Sequence, residues 1–306
     1  MAKTSSTPDG QAAERRAQPR QADDNWRTAL TAIEPNKILV RGYPLDEMMG
    51  RLSFGEAIYL LLQGELPTPA IGRLMEALLV SFIDHGATPP STLASRNTAT
   101  TGAPLRACVA AGVLGFGRYF GGDITACMQL LDEGLALCRS GKPIRDAAAQ
   151  VLEPYLTSGE TPPGFGHRFH SRDPRATRLF QMAMELELDG EHIRFIRALE
   201  FALQHAHESE EAGGHEPAAS GQGPEARSQV SKTPPVNIDG AIAAVCSDLG
   251  LKPDVADALF VISRVPGIAA HALEERERNP PMRQIDPKDH VYDGPSERRL
   301  PETRRR

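Results

Sequence analysis

Pro163-Gly164-Phe165-Gly166-His167-Arg168-Phe169-His170-Ser171-Arg172-Asp173-Pro174-Arg175 is the stretch on which the reading of this 306-residue chain turns. It packs two glycines, two histidines and three arginines into thirteen residues, directly ahead of a helical apolar pattern. Glycines allow a tight turn and a close approach of backbone to a ligand. His167 can donate, accept or carry a proton near neutral pH. Arg172 and Arg175 offer planar forks that suit carboxylates. Asp173-Pro174 reads as a helix cap followed by a first-turn proline. On residue types alone, a Gly-rich surface loop fits as well as a site.

Downstream, 175–188 and 191–205 read as helices, with Leu179, Met182 and Leu186, then Ile193, Ile196, Leu199 and Leu203, as their buried faces. Residues 206–233 lose that pattern and read as a flexible, low-complexity insertion. His205, His207 and His215 have no rigid spacing that would assemble a metal site. Asn237-Ile238-Asp239-Gly240 precedes Ala241, Ile242, Ala244 and Val245; locally it reads as a helix cap, with Asp239 the favoured capping residue. Ser263-Arg264-Val265-Pro266-Gly267 reads as the opening of a helix that runs past His271.

Upstream, 123–157 reads as two helices broken near Ser140-Gly141-Lys142-Pro143. Residues 91–117 are small and apolar, as in a closely packed helix pair, and a subunit interface is one use for it. Ile71, Leu74, Met75, Leu78, Leu79 and Phe82 form a helical stripe after the Thr68-Pro69 start, and His85 follows at its end. A histidine there is favoured by the helix dipole and is often only structural. Ser53-Phe54-Gly55-Glu56 is a capping box whose helix, with Phe54, Ala57, Ile58, Leu61 and Leu62 as its apolar set, can end at Gly64. Residues 34–43 read as one short strand or extended segment ending at Gly42.

Composition bounds the function. A net charge of -6 argues against a nucleic-acid binder, and Arg304-Arg305-Arg306 is too short to reverse it. No uninterrupted apolar run approaches the ~20 residues of a membrane span. Cys108, Cys127, Cys138 and Cys246 show no Cys-x-x-Cys pair and read as small buried residues of a reducing cytosol. Residues 1–22 are polar, without the apolar core of a signal peptide, and read as a disordered tail.

Gly164-Phe165-Gly166-His167-Arg168 followed by Asp173-Pro174-Arg175 resembles the second histidine motif of the citrate synthase family, which includes citryl-CoA lyases and the C-terminal module of ATP-citrate lyase. Arg41-Gly42-Tyr43, followed by Leu60-Leu61-Leu62-Gln63-Gly64-Glu65-Leu66-Pro67-Thr68, is similar to that family's N-terminal signature. Asn237-Ile238-Asp239-Gly240 resembles its catalytic aspartate motif, in the form with Gly that the lyases carry. Asp84-His85-Gly86 and Asp289–Pro295 are also closer to the lyases. The informative departure is Phe120-Gly121-Gly122. Synthases have His-Gly-Gly there, and that histidine hydrogen-bonds the thioester oxygen; losing such a donor can cost about 10²–10³ in rate. The lyases similarly carry Phe-Gly-Gly, so Phe120 favours a lyase-type member.

The resemblance covers residues 26–204 and 234–295. It implies an all-α fold, with a large helical domain (23–140 and 234–295), a smaller inserted helical domain (141–205), the 206–233 insertion, and tails at 1–22 and 296–306. It implies a cytoplasmic homodimer that cleaves citryl-CoA to acetyl-CoA and oxaloacetate, tied to tricarboxylic acid cycle chemistry, with a separate citrate-activating ligase as a candidate partner. His167 would be the base on the hydroxyl, Asp239 the proton donor to the enolate, and His85 a hydrogen-bonding group to the substrate. Arg175, Arg264 and either Arg278 or Arg283 would hold the carboxylates. Asn279 interrupts the family's Arg-Pro, and the choice leans to Arg283. Gly164, Phe165, Gly166, Arg168 and Arg172 would meet coenzyme A. No metal or prosthetic group is implied, since the coenzyme A thioester is itself the substrate. Two other readings stand beside it: a citrate or 2-methylcitrate synthase that tolerates Phe120, and a non-catalytic coenzyme A or citrate binder.

Overall fold

The computed structural model describes residues 27–117, 121, 123–167, 170–212, 234–284 and 286–299. The expected tail at 1–22, Phe120, Arg168 and residues 213–233 of the expected insertion lie outside them. The chain forms two compact units, Met1–Leu66 and Pro67–Arg306.

In the first unit the segment read as one strand is a three-stranded antiparallel sheet: β1 (Thr31–Glu34), β2 (Lys37–Val40) and β3 (Tyr43–Pro44) in that order. Left-handed residues break it. Pro35-Asn36, with Asn36 at φ 62°, turns between the paired Glu34 and Lys37. Arg41 and Gly42, at φ 50° and 88°, form the two-residue turn between the paired Val40 and Tyr43. After α1 (Leu45–Met48) comes α2 (Phe54–Gln63), which has the expected capping box and a left-handed Gly64 as its cap. Its inward stripe is Gly55, Ile58 and Leu62 with Leu60, so Phe54 and Leu61, read as core residues, are exposed. Arg41 closes the hairpin on this helix by donating from Nε (3.2 Å) and Nη2 (2.7 Å) to the Leu61 carbonyl.

The second unit is helical among its described residues: α3 (Pro69–Ser81), α4 (Pro90–Thr100), α5 (Leu105–Leu114), α6 (Asp123–Arg139), α7 (Ile144–Ser158), α8 (Pro174–Glu185), α9 (Glu191–Ala212), α10 (Ile238–Asp248) and α11 (Pro253–Arg278), then a 3-10 turn at Pro287–Asp289. The Thr68 cap and the buried stripe Leu74, Met75, Leu78, Leu79 and Phe82 are as the spacing predicts. The break at 140–143 separates α6 from α7. Helix α9 runs on to Ala212, seven residues into the expected insertion, because Glu208–Ala212 carries helix-compatible residues and the first glycines are Gly213 and Gly214.

Two helices organise this unit. Helix α10 is apolar all round, with Ile238 and Gly240–Cys246 buried, and it packs on α6, α8 and α9. Helix α11 packs on α3, α4, α5 and α6. It begins at Pro253, not at Ser263: Lys252-Pro253 supplies the first-turn proline, and Pro266 lies inside the helix. The N–H after that proline, on Gly267, donates to the Ile83 carbonyl at 3.1 Å. On length and composition α11 would pass as a membrane span, but Leu259, Phe260, Ile268 and Ala272 are buried against the other helices.

Candidate active site

The 163–167 loop is bolted to the start of α10. Phe165 and Val236 form an antiparallel bridge. Asn237 N–H donates to the Gly164 carbonyl at 3.0 Å, and Gly166 N–H to Pro235 O at 2.8 Å. The Asn237 side chain works in both directions. Its Oδ1 accepts Gly240 N–H at 3.0 Å and caps α10, while its Nδ2 donates to the Phe165 and Gly166 carbonyls, each at 3.1 Å. The cap is therefore Asn237, not Asp239, because the chain stays extended at 237 (ψ -179°) and is helical from Ile238. Gly164 (φ 85°) and Gly240 let the two backbones touch: a Cβ on Gly240 would stand 2.3 Å from Gly164 O, and one on Gly164 would stand 2.6 Å from the Cys127 Sγ.

Freed from capping, Asp239 lies in the first turn of α10 on the site side of this junction. Burial, then the like charge of Asp123 at the start of α6, pushes its carboxyl up to about 6; Arg175 and Arg264 act the other way. It can thus hold or release a proton close to neutral pH.

His85 follows the end of α3, three residues beyond the Phe82 cap. Burial, then the positive charges of Arg264 and Arg175, pushes its ring down to about 4, so it is a neutral imidazole at pH 7. Arg264, on α11, is buried. Its Nε donates to Phe82 O at 2.7 Å and its guanidinium lies over the Phe260 ring at 5.1 Å. Phe260 is itself wedged edge-on against Phe82 and Phe116, with centroids 4.9 and 5.0 Å away. Among the described residues Arg264 Nη1 has no hydrogen-bond partner. A buried guanidinium edge of that kind is suited to a carboxylate. Burial lowers its affinity for the proton, to about 10, with Asp239 and Asp84 opposing.

Arg175 and Arg264 thus act on the charge of both His85 and Asp239, and His167 acts on that of His85, which makes these five the candidate site. Arg175 is held as a two-pronged pair by Asp173, through Nε to Oδ1 (3.1 Å) and Nη2 to Oδ2 (2.8 Å). Asp173 is buried, and it also caps α8. Burial would raise its carboxyl, but the Arg175 fork holds it below the usual carboxylate range. His167 Nδ1 accepts the His170 amide at 3.2 Å, and the two rings stack at 4.2 Å. Arg172 turns back onto α8, with its Nε donating to Thr177 Oγ1. Phe165 is buried, and Gly164 and Gly166 spend backbone groups on the junction with 235–237. Arg278 pairs with Glu274, and Arg283 with the buried Glu275 of its own chain. Among the described residues no cluster of His, Cys, Asp and Glu could hold a metal ion.

Sequence reasoning missed Asn237 as the joint, Asp173 as Arg175's partner and Asp123 as Asp239's like-charge neighbour. For Asp173 the signal was present: an aspartate two residues before an arginine at a helix start.

Residues 68–285 match the family described as citrate synthase, C-terminal domain. The solved structure of citryl-CoA lyase from Hydrogenobacter thermophilus is similar at 36% identity and TM-score 0.75, covering 91% of this chain and 98% of that one. A citrate synthase of Heyndrickxia coagulans is 25% identical over 74% of this chain and 54% of its own length. A citrate/2-methylcitrate synthase of Bacillus subtilis is 27% identical over 82% and 59%. The chain thus spans little more than half the length of these curated relatives.

Proposed function

The chain belongs to the citrate synthase family, and on that premise we propose that it cleaves citryl-CoA to acetyl-CoA and oxaloacetate. The observation that carries the reading is Asp239: a carboxyl in the first turn of α10, pushed up to about 6 by burial and by Asp123, with Arg175 and the buried Arg264 acting against that rise. Cleavage is a retro-Claisen step. The hydroxyl proton of the citryl group passes to His167 as its carbon–carbon bond breaks and a ketone forms. The bonding electrons go to the thioester enolate, and Asp239 delivers its proton to the enolate carbon to give the acetyl methyl. Arg264 and Arg175 hold carboxylates, with His85 as a neutral hydrogen-bonding group. The likeness to the Hydrogenobacter enzyme along nearly its whole length, and Phe120 where synthases use histidine, support cleavage over synthesis.

One contact favours a second reading, condensation in the synthase direction. With Nδ1 accepting the His170 amide, a neutral His167 carries its proton on Nε2 and is a donor, as a ketone being condensed requires. For cleavage through Nε2, that nitrogen must be bare and the His170 contact must open.

A homodimer belongs to the same reading. Leu93 on α4, Leu114 on α5 and Leu273 on α11 are large, exposed apolar side chains on three helices that pack together. Arg278 or Arg283 would then serve a partner's site only after leaving its carboxylate.

The test is kcat/KM for citryl-CoA cleavage against pH, in the parent and in Asp239→Asn. Cleavage needs the protonated acid, so the parent is expected to lose rate as pH rises above about 6, whereas condensation would gain it. Asp239→Asn is expected to lose about 10²–10⁴-fold. Parental turnover in that variant would contradict the mechanism.

A further inference from the structure

His85 sits on a turn that one face of α11 anchors at four points. Ser263 Oγ donates to Leu79 O, and Arg264 Nε donates to Phe82 O at 2.7 Å. Gly267 N–H donates to Ile83 O at 3.1 Å, and His271 Nε2 meets Asp84 Oδ1 at 3.1 Å. Positions 263, 264, 267 and 271 share a helical face. The first three anchors take up carbonyls left over at the end of α3. The fit is close: a Cβ on Gly267 would stand 2.4 Å from Ile83 O and 2.7 Å from Asp84 Oδ1.

The fourth anchor has no such structural duty. Asp84 turns its other oxygen, Oδ2, onto Gly86 N–H at 2.9 Å. The carboxylate therefore closes the turn around the histidine, from the residue before it to the residue after it. His271 holds that carboxylate from outside, with its other nitrogen 3.6 Å from Glu274 Oε2. With Nε2–H donating to Asp84, the carboxylate keeps its charge and its orientation.

We propose that Asp84 and His271 are positioning residues for His85: the His271–Asp84 pair fixes the 84–86 turn and so aims the His85 imidazole at the substrate. Neither touches the reacting atoms in this role. The inference rests on the reading of His85 as a substrate-binding group. It goes further by naming what holds that group, and it makes α11 one rigid piece carrying both Arg264 and the His85 turn. A misplacement of about 1 Å by a residue away from the chemistry can cost about 10²-fold in rate.

The test is a double-mutant cycle in citryl-CoA turnover: parent, His271→Ala, His85→Ala and the double variant, with His271→Gln as the conservative change. His271→Ala is expected to lose about 10–100-fold in kcat/KM, and His271→Gln, which keeps a donor, to recover most of it. In the His85→Ala background the His271→Ala change should cost less than about threefold, because nothing is left to aim. Equal losses in both backgrounds, or a parental rate in His271→Ala, would overturn the proposal. A parent that cleaves nothing would sink the lyase reading alone. The proposal is then decided without substrate, by titrating the His85 ring by NMR. His271→Ala should move its pKa from about 4 toward the ordinary 6.5, and an unmoved His85 would overturn the positioning role.

Discussion

Asp239 is the residue at which structure and chemistry pull against each other. Its folded pKa is raised from 3.8 to about 6, so between those values the native state holds a proton that the unfolded chain releases. The native state is thus penalised as pH rises through that window, and the full penalty stands above it. Asp239→Asn should therefore stabilise the protein at pH 8, by about 3 kcal/mol, and the gain should vanish below about pH 4. Urea unfolding of the two proteins at both pH values checks this; a gap of the same size at pH 4 would point to packing instead. The residue's local look misled. An aspartate just ahead of Ala241 and Ile242 reads as a cap, and only the extended backbone at Asn237 shows that the cap lies two residues earlier. Arg264 was legible as an arginine but not as a buried one, because spacing does not say that Phe82 and Phe260 wall in its guanidinium.

Among the helices, the start signals were the legible part. Ser53, Thr68-Pro69 and Asp173-Pro174 each announce the helix they cap, because the capping bond is local. Pro266 gave a false start, since a proline inside a helix is written like one at its beginning. The turns at Asn36 and Arg41-Gly42 were hidden because left-handed backbone at a non-glycine leaves little mark in the sequence. Nor could sequence reveal how α9 begins. Asp248, at the far end of α10, accepts the amides of Gly190 (2.9 Å), His192 (2.9 Å) and Ile193 (3.1 Å). The His192 ring then bridges Asp248 Oδ1 through Nδ1 (2.8 Å) and Asp132 Oδ1 of α6 through Nε2 (3.1 Å). Both contacts can be donated only by the charged ring. Burial would push its pKa down, but the two carboxylates hold it above the usual 6.5. A raised folded pKa means stability fully present below 6.5 and lost as pH rises through the folded value. His192→Gln should accordingly cost about 1.5–3 kcal/mol at pH 6 and less at pH 9. Thermal melts at the two pH values decide this, and an equal cost at both would show that the ring is neutral.

For the molecule as a whole, the fold was readable because helical periodicity and ordered motifs run through most of the chain, and residues 68–285 match the citrate synthase family. What periodicity could not supply is the meeting of 163–167 with 235–240, a junction between segments some seventy residues apart that depends on Asn237 and on two glycines in backbone contact. That junction ties the loop that ends in His167 to the helix start that carries Asp239, and α11 holds Arg264 and the His85 turn. The most direct measurement is to give the purified protein citryl-CoA and follow oxaloacetate and free coenzyme A separately. Oxaloacetate formed with acetyl-CoA, and without matching free coenzyme A, is the expected result. Free coenzyme A with citrate, and no oxaloacetate, would contradict cleavage and make hydrolysis, and so the synthase direction, the chemistry of this site.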